Sequence, residues 1–279
     1  MSSDLDAATS ASLSANRNGA AQALPQRRAV IVAANKGGVG KSFATRAWID
    51  LTRSTARRVS AWDLDGANGS LGLYYQDEDP IVGIGLDDVS SSSSTAWLDA
   101  MYSDADDVIL DVPGGKTAAL YQTFVGGPED LITFIRDSER RIVLVSVIGT
   151  KKDSLPTIAD AIETFDSSVE HVVLKNGFFG SSDEFIIFDG TTDDRGQKRF
   201  GKTRELAESA RAAIVYLPKL SSATDAVLDE AGLSFAKGVD AATTIGRRHA
   251  FNVASWLKLV EKSYAHTPIS IDGAAARHV

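Results

Sequence analysis

The chain has 279 residues, of which 43% are hydrophobic and 24% are charged, and its formal net charge is −8. This composition is ordinary for a globular protein, and the length suits one large domain. The sequence contains no cysteine, which excludes disulfides, thiolate zinc sites and cysteine-ligated iron–sulfur clusters, and its acidic balance argues against a surface that coats nucleic acid throughout.

Both ends of the chain are predicted to be flexible tails. Residues 1–26 are rich in Ser, Ala, Asn and Asp and hold too few large apolar side chains to offset the entropy lost on ordering. Residues 266–279 contain Pro268 and small residues with little apolar periodicity. Residues 27–265 remain as one domain, in which the run Ser90–Ser94 is expected to be a mobile loop. The sequence shows no apolar stretch of bilayer length and no secretory signal pattern, so a cytoplasmic protein is expected.

From residue 28 onward, short apolar runs alternate with segments of helical period. The predicted strands are 29–34, 59–64, 108–110, 142–148, 171–174 and 213–217. The predicted helices are 42–55, 115–124, 128–138, 154–166, 203–211, 222–231 and 247–263. Several apolar runs do not alternate with polar residues, which is typical of parallel strands covered on both faces. The sequence thus predicts an α/β fold, a doubly wound, mostly parallel sheet with helices on both faces and ligands at the carboxyl ends of its strands.

The segment Lys36-Gly37-Gly38-Val39-Gly40-Lys41-Ser42 lies between the first predicted strand and the first predicted helix. Glycines in this context let backbone N–H groups point at phosphates, and the helix N-terminus adds its positive end. Lys41 is then expected to reach the β- and γ-phosphates of ATP, and the Ser42 hydroxyl to ligate Mg²⁺. A chance glycine-rich turn is the alternative. The predicted nucleotide-binding residues here are Gly37, Gly38, Val39, Gly40, Lys41, Ser42 and Phe43.

Lys36 narrows the choice among P-loop families. With this lysine, the loop resembles the Lys-Gly-Gly-x-Gly-Lys-Ser/Thr loop of the deviant Walker A P-loop ATPases, the family of the ParA-like partition ATPases and of MinD. The resemblance covers about residues 28 to 220 and implies a P-loop NTPase fold that hydrolyses ATP with Mg²⁺. It also implies that Lys36 is a signature lysine, which crosses an ATP-bound homodimer to the phosphates of the other subunit. Such a lysine would couple hydrolysis to dimerisation, since it stabilises transition-state charge only once the interface forms. The alternative is an ordinary solvated lysine.

Two carboxylates end the second predicted strand. Asp63 and Asp65 are separated by one residue and so lie on the same side of an extended chain. By the family resemblance, Asp65 orients the attacking water and Asp63 lies near the metal; which of the two orients the water stays open, as does a simple loop-capping role for one of them. The next residues, Gly66-Ala67-Asn68-Gly69, depart from the Pro-Gln-Gly-Asn of the partition members.

The predicted strand at 108–110 runs into Asp111 and then into Pro113-Gly114-Gly115. At about 70 residues after a P-loop, this arrangement is typical of a Walker B motif and the switch that follows it. Asp111 is expected to hold Mg²⁺ through water, and the peptide groups of Gly114 and Gly115 to reorganise around the γ-phosphate. The alternative is that Asp111 merely forms a turn.

Adenine recognition is predicted at the ends of the last two strands. The resemblance assigns base pairing to Asn176, whose amide both donates and accepts hydrogen bonds, and a loop around the base to Pro218. An Asn-Gly turn without ligand contact is the alternative for Asn176. The apolar segment 185–189, with Thr203-Arg204 after it, further resembles the plasmid stabilisation and conjugal-transfer ATPases, the StbB- or TraL-like branch.

A basic window between residues 195 and 219 is the candidate DNA surface. Its seven cations face only Glu205 and Glu208, a local balance of +5 in a chain of −8. A solvated helix face is the alternative, and Arg247-Arg248 form a smaller rival patch. The predicted DNA-contacting residues are Arg195, Lys198, Arg199, Lys202, Arg204, Arg211 and Lys219.

Taken with the resemblance, the motifs favour a cytoplasmic, nucleoid-associated bacterial ATPase. It would form a homodimer on ATP and bind nonspecific DNA, and it would hydrolyse ATP slowly until a partner or cargo adaptor stimulates it, so that a plasmid or other cargo is partitioned or positioned. One alternative is a MinD-like regulator at the membrane surface, which needs an amphipathic basic C-terminal helix that residues 266–279 do not offer. The other is a P-loop small-molecule kinase or synthetase, which has no need for Lys36.

Overall fold

The computed structural model describes residues 27–66, 69–76, 81–86, 96–192 and 194–270. The predicted N-terminal tail, the serine loop Ser90–Ser94 and residues 271–279 of the predicted C-terminal tail lie outside the described residues. Within the described part of that second tail, Ile269 is fully buried and the carbonyl of Ser270 accepts a hydrogen bond from Arg28. These residues therefore pack against the domain.

The described residues form nine strands, and seven of these make one sheet. Their bounds are β1 Arg28–Ala33, β2 Val59–Asp63, β3 Val82–Gly83, β4 Asp107–Asp111, β5 Arg141–Ile148, β6 Glu170–Asn176, β7 Thr191–Thr192, β8 Lys198–Arg199 and β9 Ala213–Leu217. The order in the large sheet is β3-β2-β4-β1-β5-β6-β9, and every neighbouring pair in it is parallel. Strands β7 and β8 form a separate antiparallel hairpin. The predicted mostly parallel sheet is confirmed.

The helices are α1 Lys41–Ser54, α2 Ala96–Asp99, α3 Pro128–Asp137, α4 Pro156–Phe165, α5 Ile186–Asp189, α6 Lys202–Ser209, α7 Ser222–Glu230, α8 Phe235–Asp240, α9 Ala242–Ile245 and α10 Arg247–Tyr264. The predicted helix 115–124 is wrong: a single 3₁₀ turn, Thr117–Leu120, stands there. The chain must turn at Gly126 and Gly127 to start α3 at Pro128, so little length remains for a helix. Helices α2, α5, α8 and α9 were not predicted.

Strand β1 shows why the apolar runs do not alternate. Val30 and Val32 belong to the core that α1, α8 and α10 cover, whereas Ala29, Ile31 and Ala33 belong to the core on the opposite face, with residues of α3 and α4. Both faces of the central strand are thus buried, and each fully buried Val or Ile side chain contributes about 1.5–3 kcal/mol of transfer free energy. This sandwich fixes the strand ends that carry the site.

The amino-terminal edge of the sheet contains buried charge. The guanidinium of Arg28 donates to the fully buried Asp107 carboxylate with Nε–Oδ1 at 2.5 Å and Nη2–Oδ2 at 2.9 Å, and Arg57 Nε donates to Asp107 Oδ2 at 2.7 Å. Arg140, 1% exposed, donates to a group of backbone carbonyls, among them those of Met101 and Ala105. All these bonds lie inside the fold.

Candidate nucleotide-binding site

The site is built where the central strands end at the carboxyl-terminal edge of the sheet. The register places Val32 of β1 beside Asp111 of β4, and Asp111 beside Asp63 of β2. The chain leaves β1 directly into the glycine-rich loop, and α1 begins at Lys41. The sheet therefore brings together the predicted phosphate loop and both predicted carboxylate motifs.

The glycine-rich loop is shaped by a residue from a distant strand. Gly40 has a φ of 84°, and a Cβ at that position would lie 2.1 Å from Asn176 Nδ2. Glycine is therefore required there both by its left-handed backbone and by the close approach of Asn176. The same Nδ2 donates to the carbonyl of Val39 at 2.8 Å, so the end of β6 ties down the loop.

Lys41 is the cation of the loop. The residue is buried, with only 9% of its surface exposed. Its ammonium group makes no hydrogen bond or ion pair within the described part of the chain. A buried lysine without partners is unfavourable unless a ligand supplies negative charge. The environment of Lys41 thus fits a phosphate group.

Asp111 lies at the centre of the site. Its Oδ2 accepts from Ser42 Oγ at 2.6 Å, and its Oδ1 accepts from Thr45 Oγ1 at 3.1 Å. Burial raises the pKa of Asp111 to about 6, and Asp63 adds to this, against the lowering effects of the Lys41 ammonium and of the Ser42 hydrogen bond. A cation beside Asp111 would relieve this cost.

The oxygen donors at this point fit Mg²⁺. Ser42 and Asp111 offer a hydroxyl and a carboxylate within hydrogen-bonding distance of each other, and Mg²⁺ in nucleotide sites takes one or two such protein oxygens, with phosphate and water completing the octahedron. No cluster of three or more metal-ligating side chains occurs among the described residues. The arrangement therefore suits a nucleotide-bound Mg²⁺ better than a metal held by protein alone.

Asp63 and Asp65 are placed differently. The Asp63 carboxylate is buried and accepts from the backbone N–H groups of Asp65 at 3.1 Å and of Leu71 at 3.0 Å, so it holds the loop after β2. Asp65 is partly exposed, and its backbone bridges to Gly85. Its carboxylate makes no hydrogen bond within the described ranges. Of the two carboxylates, that of Asp65 is therefore the one whose oxygens can accept hydrogen bonds from a ligand or water.

The glycines after Asp111 contact the phosphate loop. The Gly115 N–H donates to the carbonyl of Ala34 at 2.8 Å, and a Cβ on Gly114 would lie 2.8 Å from the nitrogen of Gly37. This segment is therefore in direct backbone contact with the loop that would hold the phosphates.

Lys36 lies on the outside of the loop. Its Nζ is 2.5 Å from Asp153 Oδ2, with 57% and 49% of the two side chains exposed, and the hydrogen bond from Lys36 holds the pKa of Asp153 below its usual value. The lysine is thus accessible to solvent and paired with an exposed carboxylate.

The predicted base-recognition residues are only partly brought together. Asn176 is 2% exposed, and its Oδ1 accepts from the Phe178 N–H at 3.1 Å while its Nδ2 binds Val39. A pocket of about 190 Å³ opens between Asn176 and Phe43. Pro218 does not line this pocket; its carbonyl accepts from Trp256 Nε1 at 2.7 Å.

Several residues at the site were missed by sequence reasoning. The base-side pocket is lined by Phe178, Phe179, Lys219, Leu220 and Asp225 as well. Lys219 Nζ lies 5.4 Å from the centre of the Phe178 ring, so this lysine, predicted to contact DNA, faces the pocket instead. The two adjacent phenylalanines after a strand end were an available signal, whereas Thr45 and Asp153 carried none.

The other predicted DNA cations lie in different surroundings. Arg204 is bound to Asp189 at 2.6 Å and to Glu208 at 2.7 Å, so its charge is compensated. Arg211 lies beyond the far end of α6. The exposed residues Arg195 and Arg199 of the hairpin region and Lys202 at the start of α6 remain near one another in the chain, beside Lys198.

Comparison with solved structures supports the fold. A ParA family ATPase from Chlorobium tepidum is similar with a TM-score of 0.50 and 12% identity over 83% of this chain and 99% of that one. MinD from Pyrococcus horikoshii, complexed with Mg-ADP, gives a TM-score of 0.47 and 15% identity over 85% and 95% of the two chains. The chain has the P-loop NTPase fold of the ParA family ATPase.

Sequence comparison finds a curated relative. Protein MobD of Acidithiobacillus ferrooxidans is 24% identical over 164 residues, which are 58% of this chain and 68% of MobD. No protein-family model matches the chain. Among the described residues, no helix is both long and apolar enough to cross a membrane.

Proposed function

We propose that this protein is an ATPase that uses ATP and Mg²⁺ as a dimerising switch, in the manner of the deviant Walker A ATPases. The observation that carries the proposal is the buried, unpartnered Lys41 ammonium beside the Ser42–Asp111 pair, at the end of a glycine-rich loop. The fold shared with the ParA family ATPase supports it. A place in the StbB- or TraL-like branch is a narrower form of the same proposal and rests on segment 185–204 alone.

The roles of the residues follow from their positions. Backbone N–H groups of the loop and the Lys41 ammonium would bind the phosphates. Ser42 and Asp111 would hold Mg²⁺, and the metal would withdraw charge from the β- and γ-phosphates. Asp65 has free carboxylate oxygens and orients the attacking water, while Asp63 keeps the loop after β2 in place. Asn176 positions the loop and offers its remaining N–H to the base.

Lys36 is proposed to act on a second copy of the chain. It is exposed and, within the described part of the chain, is bound to the half-exposed Asp153 alone. An exposed ion pair contributes little to stability, about 0–1 kcal/mol. The phosphates of a facing subunit would therefore displace Asp153 at small cost. Dimerisation then completes the charge around the transferring phosphoryl group.

The first test measures phosphate release from ATP with Mg²⁺, together with molecular mass by light scattering in ATP and in ADP. We expect slow release to water and a dimer only with ATP. Phosphoryl transfer to a small-molecule acceptor would point instead to a kinase or synthetase. Absence of ATP binding would refute the proposal.

The proposed surface for the dimer is nonspecific DNA, bound through Arg195, Lys198, Arg199 and Lys202. Four cations release few counterions, so a monomer binds weakly, whereas a dimer that aligns two such groups binds tightly and with steeper salt dependence. A Lys198→Glu/Arg199→Glu/Lys202→Glu variant should lose ATP-dependent DNA binding in an anisotropy titration at two salt concentrations. Arg211→Glu, at the other end of α6, is the matched control. Equal DNA binding by wild type and triple variant would refute this DNA-binding surface. Equal DNA binding in ADP and in ATP would refute the nucleotide-dependent switch.

A membrane surface is a second candidate, favoured by α10. This helix exposes Phe251 and Leu259 at 71% and 55% on the face that also carries Arg247, Arg248, Lys258 and Lys262, a combination that suits an anionic lipid interface. Flotation with anionic vesicles in ATP tests it. A Phe251→Ser/Leu259→Ser variant should abolish flotation and leave DNA binding intact if the membrane is the surface.

A further inference from the structure

A second cavity, of about 270 Å³, lies between helix α4 and the segment that follows β4. It is distinct from the base-side pocket and shares no lining residue with it. Its inner wall is apolar, with the rings of Tyr121 and Phe165 in edge-to-face contact at 5.9 Å between centroids. The volume is too small for a nucleotide and is sufficient for one side chain or a small molecule.

The polar groups of this cavity favour a cation. Asp160 and Glu163 contribute carboxylates at its exposed side, and none of the described residues that line it is basic. Inside, Thr157 is only 3% exposed, and its hydroxyl makes no hydrogen bond within the part of the chain that the structure describes. Among the described residues, the sealed side-chain oxygens without a partner are those of Thr52 and Tyr264, so the Thr157 hydroxyl is open to the cavity that it lines. A ligand with N–H donors and positive charge would satisfy Thr157 and the carboxylates together.

We infer that this cavity binds an alkyl guanidinium or ammonium group. Aromatic rings such as those of Tyr121 and Phe165 in the lining attract cations, and the carboxylates accept the N–H groups of the ligand. Because both carboxylates are exposed to solvent, the affinity is modest and falls with salt. The group comes either from a free amine or from the basic side chain of another protein.

The position of the cavity connects its ligand to the phosphate loop. Gly115 and Asn35 both line it; the Gly115 N–H is bonded to Ala34, and Asn35 Nδ2 donates to Asp160 Oδ2 at 2.6 Å. A cation that takes Asp160 competes with Asn35, the residue that precedes Lys36. The ligand therefore biases the loop and the switch segment, whether or not the protein hydrolyses ATP.

The test uses the purified full chain and three soluble probes, observed by saturation-transfer NMR titration. The probes are N-acetyl-arginine amide, N-acetyl-lysine amide and the neutral isostere N-acetyl-citrulline amide. We expect saturable binding of the two cations, no saturable binding of the citrulline compound, and weakening of about fivefold or more in an Asp160→Asn/Glu163→Gln variant. A Glu230→Gln variant, changed at an exposed carboxylate of α7, is the matched control and should bind as wild type does.

A further arm identifies the source of the cation. A neutral heptapeptide with one central arginine should bind as well as the free arginine derivative if the cavity takes a protein side chain, and much more weakly if it takes a free amine. Equal binding of citrulline and arginine compounds, or unchanged affinity in the double variant with normal circular dichroism, would overturn the inference. An Ala118→Phe variant, which fills the cavity without changing its charge, should also abolish binding; retention there would overturn it as well. None of these readouts depends on ATP hydrolysis, so the cavity and the proposed ATPase function can fail separately.

Discussion

The two edges of the sheet contain buried charge in opposite ways. At the amino-terminal edge, Arg28 and Arg57 surround Asp107, and Arg140 is bound by backbone carbonyls. At the carboxyl-terminal edge, the Lys41 ammonium has no partner in the described part of the chain, and Asp111 is bound only by two neutral hydroxyls. Buried charged groups whose hydrogen bonds are all made within the protein stabilise the fold. Buried charged groups that lack such partners indicate where a charged ligand binds.

The electrostatics of the two buried carboxylates reflect this difference. Burial alone would raise the pKa of Asp107, but the hydrogen bonds and charges of Arg28 and Arg57 outweigh it and hold the pKa below its usual value. The same burial raises the pKa of Asp111 to about 6, because Lys41 and Ser42 compensate it only in part. The comparison predicts that substitutions at the first edge change stability and that substitutions at the second change ligand binding.

The largest effect is expected for Asp107→Asn. The substitution leaves two guanidinium groups beside a neutral amide in a buried site, and breaking a buried ion pair costs about 3–5 kcal/mol. The free energy of unfolding, measured by guanidinium denaturation, should fall by that amount while ATP affinity of the folded protein is unchanged. Asp104→Asn, which removes an exposed partner 3.7 Å from Arg58, should leave stability unaltered. A loss of ATP affinity in Asp107→Asn without loss of stability would contradict the division between the edges.

The converse substitution is Lys41→Ala. Removing this buried cation should change the free energy of unfolding little, since no hydrogen bond or ion pair of the ammonium is lost and the relief of its burial offsets its attraction to Asp111. ATP binding should become undetectable by calorimetry, a loss of about 3 kcal/mol or more, because the phosphates lose their main cationic partner. Lys262→Ala, at an exposed position of α10, is the control for a general effect of lost charge. ATP affinity like that of wild type in Lys41→Ala would exclude the phosphate-binding role.

The features that could be predicted from the sequence are those that depend on contiguous residues. The apolar run at 213–217 coincides with β9. The predicted strand 29–34 differs from β1 by one residue at each end, and the predicted strand 142–148 differs from β5 by one residue at its start. The glycine-rich loop and Asp111 were likewise local motifs. Such features need only short-range pattern, namely apolar runs, turn residues and helix starts.

The features that escaped prediction depend on residues far apart in the chain. Lys36 meets Asp153 across 117 positions, and Asn176 reaches Val39 across 137. The contacts of Arg28 with Asp107 span 79. Only the sheet order brings these pairs together, and no local spacing specifies it. Short elements such as α9, four residues long, also lack the repeated period that identifies a helix.

A third, smaller effect is a pH dependence of stability that originates at Asp50 in α1. Burial raises its pKa to about 6, against hydrogen bonds from the Ala236 N–H and the Tyr75 hydroxyl. A folded-state pKa above the unfolded value means that stability is fully present below about pH 4 and is lost as the pH rises through about 6. Asp50→Asn removes this loss, so its advantage in free energy of unfolding over wild type should grow by about 2–3 kcal/mol between those limits.

Urea unfolding at half-unit pH steps measures the Asp50 effect. Asp137→Asn, at an exposed position at the end of α3, should give a pH profile parallel to that of wild type. If the difference between Asp50→Asn and wild type stays constant with pH, Asp50 is not the titrating group.

The smallest expected change in affinity is that of Lys36→Ala, which nevertheless separates binding from switching. Lys36 contacts only the exposed Asp153 and lies outside the loop, so ATP affinity should change by less than tenfold, about 1.4 kcal/mol. If it acts across a dimer, hydrolysis and ATP-dependent dimerisation should both fail in Lys36→Ala, whereas both should be normal in Lys152→Ala, a change in the facing segment.

The Asp65→Ala variant should instead form a dimer that persists, because ATP binding is intact and the attacking water is not oriented. Asp63→Ala should lower stability as well, since two backbone N–H groups lose their acceptor. Normal turnover in Lys36→Ala would return this lysine to an ordinary surface role, and normal turnover in Asp65→Ala would move the water-orienting role to Asp63.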